Sequence, residues 1–151
     1  MKLWSPAVPH GQSIPAIHGC DGEDRSPPLA WSEVPLATRS FALVADDPDA
    51  SRGTWLHWLL FNLPADAIEL AAGVPRAPEL PSGARQGVND SGDVGYGGPC
   101  PPRGAAHRYF FRLYALDCTL NLGPGINRSD LDDAMAGHVL AEATTMGTYQ
   151  R

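Results

Sequence analysis

The sequence predicts a mainly β domain of short strands, and three observations carry that prediction. Sixteen glycines and 15 prolines, about a fifth of the 151 residues, are spread along nearly the whole chain. Punctuation of this density interrupts long helices and favours short strands joined by turns. Three apolar runs, at 40–45, 55–61 and 107–117, have strand length, and the first two stop at turn residues. Only one stretch, near the C-terminus, carries a helical period. Hydrophobic residues make up 43% of the chain, enough for one buried core, and no linker separates two apolar halves. We therefore read residues 1–151 as a single domain.

Taken in order, residues 1–37 are rich in loops. Within them Pro27-Pro28, followed by Leu29 and Trp31, reads as an extended segment pinned on the core by its apolar side chains. Ser40-Phe-Ala-Leu-Val-Ala45 is a buried strand stopped by Asp46-Asp47-Pro48. Trp55-Leu-His-Trp-Leu-Leu-Phe61 is a second, stopped by Asn62-Leu63-Pro64. Strict alternation would place Trp55, His57, Leu59 and Phe61 on one face and Leu56, Trp58 and Leu60 on the other. Residues 64–86 read as loop with one turn of helix. The Gly/Pro-rich stretch 87–104 is long for a connection inside a compact domain, and such loops are often functional. His107 to Asp117 is the third strand, with His107, Tyr109, Phe111 and Leu113 on one face and Arg108, Phe110, Arg112 and Tyr114 on the other. The helix is expected from Ser129 as N-cap, with Asp132 completing a capping box and Leu131, Met135 and Val139 as its apolar stripe. It should run to about Ala143, with Gly147 near its end as the stop.

Composition excludes several classes. The formal net charge is −6 and no Lys/Arg cluster tracks a phosphate backbone, so nucleic acid is not an expected partner. No apolar run approaches the ~18 residues of a membrane span, so stable membrane insertion is not expected either. The N-terminal stretch MKLWSPAVPHG is broken by Pro6, Pro9 and Gly11 and has no signal-peptide core, which leads to a cytoplasmic expectation. Cys20, Cys100 and Cys118 are odd in number and lack framework spacing. They argue against a disulfide scaffold while leaving room for one bond and one free thiol. No cofactor motif is present.

The residues able to carry chemistry fall in four places. Asp46-Asp47-Pro48-Asp49 puts three carboxylates in four positions. An Asp-Pro turn in water explains that most simply, and orientation of a histidine is the functional alternative. His57 interrupts an apolar strand. A buried imidazole needs hydrogen-bond partners, and Asp47 or Asp49 would supply one while favouring the charged form. His107 and Tyr109 share a strand face roughly 6.5–7 Å apart, a gap that suits two donors converging on one small anion. Finally, Gly95, Gly97 and Gly98 would let backbone N–H groups approach a ligand, with Pro99-Cys100-Pro101-Pro102 as a stiff wall. Cys100 itself reads as a structural buried thiol. The loop lacks the G-K-[ST] ending of a P-loop, so a nucleotide fold is rejected.

Together the strings FALVADDPDA, TWLHWLLFNLPA, GYGGPCPPRG and HRYFFRLYALD, with SPPLAW before and GTYQR after them, resemble the bacterial, Raf-kinase-inhibitor-like branch of the phosphatidylethanolamine-binding family. The likeness runs in order over nearly the whole chain. It implies a β-sandwich of two antiparallel sheets with a C-terminal helix and small peripheral helical pieces. It also implies a small pocket for phosphate or a phosphoryl head group at one end of the sandwich, lined by Asp47, Asp49, Ala50, His57, Pro102, His107 and Tyr109 and walled by Trp55 and Gly98. The expected function is non-catalytic binding of a small anion, with a regulatory or kinase- or protease-inhibitor-like role toward a protein partner, and with homodimers as in bacterial relatives. The competing reading is a hydrolase using His and Asp with Cys100 or Ser51. Two departures stand out. Ser51 follows Ala50 where the family pattern has proline, and Tyr149 is the only late tyrosine, without a clear counterpart.

Overall fold

The computed structural model describes residues 1–151. Its strands form two antiparallel sheets. The small one orders β1 (Lys2–Trp4), β2 (Leu29–Ser32) and β5 (Glu69–Leu70) side by side. The large one runs β6 (Arg85–Gln86), β4 (Trp55–Pro64), β3 (Ser40–Asp47), β7 (His107–Leu116) and β8 (Val139–Tyr149). One 3₁₀ turn, Ala16–His18, and one helix, α1 (Arg128–Met135), complete the chain. Every peptide bond is trans, including Ala50–Ser51.

The core lies between the sheets. Leu3, Leu29 and Trp31 of the small sheet meet Phe41, Leu43, Ala45, Trp58, Leu60, Phe111 and Leu113 of the large one. The extended segment expected at Pro27–Trp31 is thus β2, and Trp31 is fixed by donating its indole N–H to the Ala67 carbonyl at 2.9 Å. The other face of the large sheet is covered too. Ala42, Val44, Leu56, Leu59 and Phe61 pack against Leu131 and Met135 of α1. Burial on both faces explains why β3 reads as an unbroken apolar run.

β4 departs from simple alternation at two bulges. Ala45 pairs with Trp58 and Asp46 with Leu56, so His57 is an extra residue with no partner on β3. The second lies between Leu60 and Leu63, where Asn62 takes a φ of +56°. After the first bulge the faces invert. Leu59 and Phe61 therefore lie on the face opposite the inter-sheet core, while Trp58, Leu60 and Leu63 face that core. The expectation that Trp55, His57, Leu59 and Phe61 share a face is corrected accordingly.

The helix is shorter and starts earlier than expected. Asn127 is the N-cap: its side chain accepts from the Asp130 N–H at 2.9 Å, and Asp130 accepts from the Asn127 N–H at 3.3 Å. Ser129 is inside the first turn. The helix ends at Met135, Gly137 turns the chain at φ +80°, and residues 139–149 pair with β7 along its whole length. A β-rich run of Val139, Thr144, Thr145, Thr148 and Tyr149 with a ready partner strand overrides the weak i+4 stripe. The chain therefore ends in a strand. Residues 65–84 hold no helical turn, only the short β5 and connecting loop.

Candidate functional site

Three strand ends and one loop converge at one end of the large sheet. They enclose a cavity of about 320 Å³ lined by Asp47, Ala50, Ser51, Trp55, His57, Ser91, Gly98, Cys100, Pro101, Pro102, His107 and Tyr109. Eight of the nine residues anticipated from sequence line it; Asp49 does not. Pro101 belongs to the stiff wall expected at Pro99–Pro102, whereas Ser91 is not expected from sequence. Ser91 comes from a separate turn, and nothing in its local sequence connects it to the histidines.

The His57 bulge sets that side chain off the regular pleat and toward Tyr109. The two rings meet edge-on, centroids 5.2 Å apart. The Nδ1 of His57 donates to the Gly97 carbonyl at 2.6 Å, and the Gly97 N–H donates back to the His57 carbonyl at 2.9 Å. Nε2 has no protein partner, and the ring lines the cavity. Neither Asp47 nor Asp49 is its hydrogen-bond partner, contrary to the sequence expectation. Burial dominates and holds the imidazole below its ordinary value of 6.5, with Gly97 and Asp47 opposing only in part. His57 is therefore neutral near pH 7.

Asp47 serves His107 instead. Its buried carboxylate accepts from His107 Nδ1 at 2.7 Å through one oxygen and from the Asp49 N–H at 2.7 Å through the other. This fixes the imidazole and again leaves Nε2 for the cavity. Burial, reinforced by the charge of Asp47, pushes the Tyr109 hydroxyl well above its ordinary value, so it stays protonated as a donor. Asp49 turns away. It accepts three hydrogen bonds from Arg108, each 2.9 Å, which hold its carboxyl down at about 2. Its expected part in orienting the imidazoles is corrected to an ion pair beside the pocket.

The glycine loop also works differently from the expectation. All three N–H groups are used inside the protein: Gly95 donates to Gly87, Gly97 to His57, and Gly98 to the Asp24 carboxylate at 2.7 Å. At Gly98 the need for glycine is steric, because a Cβ there would collide with Asp24 and the His18 carbonyl, whereas Gly95 takes a φ of +92°. The wall is further tied down by a disulfide between Cys20 and Cys100 and by a bond from the Cys20 N–H to the Pro99 carbonyl at 3.0 Å. Cys100 is thus neither a buried nor a free thiol, and Cys118 alone remains reduced. Tyr149 lies behind the cavity, packed with Val8, Ile14 and Tyr109 and donating to Asp21 at 2.6 Å.

Two larger grooves, of about 390 and 460 Å³, lie elsewhere. Of their arginines, 76, 112 and 128 are already engaged by Asp24, Asp46 and Asp132, and Arg25 donates to the Ala72 carbonyl at 3.5 Å. The smaller cavity is where two unengaged imidazole nitrogens converge.

A two-sheet sandwich with a histidine–aspartate pocket at one strand end defines the class. The chain belongs to the phosphatidylethanolamine-binding protein family, whose sequence model matches residues 4–150. It is 55% identical to a UPF0098 protein of Methanothermobacter thermautotrophicus, over 100% of this chain and 99% of that one. A UPF0098 protein of Aquifex aeolicus is 47% identical, over 100% and 89%. Among solved structures, a phosphatidylethanolamine-binding protein homolog of Chlamydia trachomatis superposes with a TM-score of 0.91 at 40% identity, covering 99% of this chain and 97% of that one. Escherichia coli YbcL, described as a member of the mammalian family, gives 0.92 at 32% identity over 99% and 98%. No helix is long and apolar enough to cross a membrane.

Proposed function

We propose that the cavity binds a small oxyanion, phosphate or a phosphoryl head group, without turning it over. The observation that carries this is the pair of imidazoles. Each is locked through Nδ1, one on Gly97 and one on Asp47, and each offers Nε2 to the same small space beside the Tyr109 hydroxyl. Three fixed polar groups and a volume of about 320 Å³ suit a phosphate-sized group with a short substituent. Because burial keeps His57 neutral, the anion binds together with a proton, and affinity rises as pH falls.

The hydrolase reading loses its thiol, since Cys100 is bonded to Cys20. Ser51 lines the cavity, but its hydroxyl makes no hydrogen bond to either imidazole, whose protein partners are Gly97 and Asp47, so no activated nucleophile is in place. Regulation of a protein partner would be a consequence of ligand occupancy and rests on the binding step.

The test is NMR titration with inorganic phosphate and with phosphoethanolamine. Saturable shifts confined to His57, His107, Tyr109 and the 97–102 loop are expected, and they should vanish in a His57→Ala/His107→Ala variant that keeps its β-sheet circular dichroism. Shifts that persist in that variant, or none in the wild type, would reject the proposal.

A further inference from the structure

We infer that Asp117, Cys118 and His138 form a binding site for one zinc-class divalent cation, at the end of β7 remote from the cavity. The three side chains bring a carboxylate, a thiol and an imidazole together, their donor atoms all within 4.8 Å of one another. Asp117 Oδ1 and His138 Nδ1 are already 2.8 Å apart. Bonds from a tetrahedral zinc ion, about 2.0–2.3 Å long, place ligand atoms somewhat under 4 Å apart, so a slight opening of the Asp117–His138 pair and a small approach of the thiol complete the set. Asp117 and His138 are exposed and free to adjust, while Cys118 is half-buried. A mixed S, N, O donor set favours zinc and cobalt over magnesium or calcium, which take oxygen ligands.

The main chain beneath these side chains is fixed. The Asp117 N–H donates to the His138 carbonyl at 3.0 Å, which joins the two ligand-bearing segments directly. The hydroxyl of buried Ser40 donates to the Cys118 carbonyl at 2.6 Å, and the His138 N–H donates to Met135 at 2.9 Å. Only side-chain torsions need move. The cation replaces the thiol proton of Cys118 and the hydrogen bond between His138 and Asp117, with water filling the fourth position. It would clip together the two ends of the connection from β7 to β8 that carries α1. The ten residues of β7 separate the site from His107 by roughly 30 Å.

The experiment is titration of the disulfide-intact protein with Co²⁺ and Zn²⁺ in the absence of reductant. Cys118 is the only free thiol, so a thiolate-to-cobalt charge-transfer band reports this site alone. The expected result is a band saturating at one equivalent and displaced by Zn²⁺. It should be absent in Cys118→Ser, and Zn²⁺ affinity should fall at least about tenfold in Asp117→Asn and His138→Ala. A His57→Ala/His107→Ala variant should keep the band. Absence of the band in the wild type, or equal Zn²⁺ affinity in the wild type and all three site variants, would overturn the proposal.

Discussion

Asp46 and Asp47 are neighbours on β3, yet the pleat sends their carboxylates to opposite faces of the sheet. Asp47 faces the cavity and holds His107. Asp46, buried, accepts from Arg112 at 3.1 Å and Arg128 at 2.8 Å, and so ties α1 to β7 beneath the sheet. Asp46→Ala leaves Arg112 without its carboxylate partner and Arg128 with Asp132 alone. It is expected to cost about 3 kcal/mol in urea unfolding, the low end for a broken buried pair because both arginines reach water. Asp49 makes a sharper distinction. Its carboxyl sits at about 2 rather than 3.8, so the stability it contributes is present above 3.8 and is lost as pH falls toward 2. Asp49→Asn should flatten the acid limb of the stability curve and leave phosphate affinity within about threefold, because the pair with Arg108 is largely exposed and outside the cavity. A large loss of affinity would place Asp49 back in the site.

At the scale of elements, the strands were legible where burial on both faces or clean alternation marked them, as in β3 and β7. What sequence could not supply was the bulge at His57. One extra residue leaves no mark in a run of large apolar side chains, yet it inverts the faces of β4 from Trp58 to the second bulge and aims the histidine. β8 was misread for a related reason: Leu131, Met135 and Val139 fit a helical stripe, and only the availability of β7 as a partner makes residues 139–149 a strand. The site residues were legible through family resemblance, whereas their pairing was not, because Asp47 and Asp49 are equivalent in sequence and differ only in which way the turn points them. The disulfide was equally hidden, since nothing in the chain connects Cys20 to Cys100 across a separation of 80 residues. Its consequence is measurable. Cys20→Ser/Cys100→Ser should lower stability by about 2–4 kcal/mol, and it should weaken phosphate binding by loosening the Pro99–Pro102 wall. Unchanged affinity in a destabilised variant would assign the bond to stability alone.

For the whole molecule, folding and ligand binding are linked through His57. Burial holds its folded value below 6.5, so as pH falls below about 6.5 the unfolded chain takes up the proton first. The contribution to stability is present above that pH and is lost as pH drops through the folded value. The urea midpoint should therefore decline on going from pH 7.5 to 5.5, less so in His57→Gln. Saturating phosphate should restore it at the lower pH, since a ligand that binds only the native state stabilises it. A midpoint equally pH-dependent in His57→Gln would remove His57 from that account.

The most direct measurement is calorimetric titration of phosphate at pH 6 and pH 8 into the wild type and His107→Ala. The account predicts one saturable site, tighter at pH 6, with binding lost in the variant. Equal affinity at both pH values, or binding that survives without His107, would contradict it.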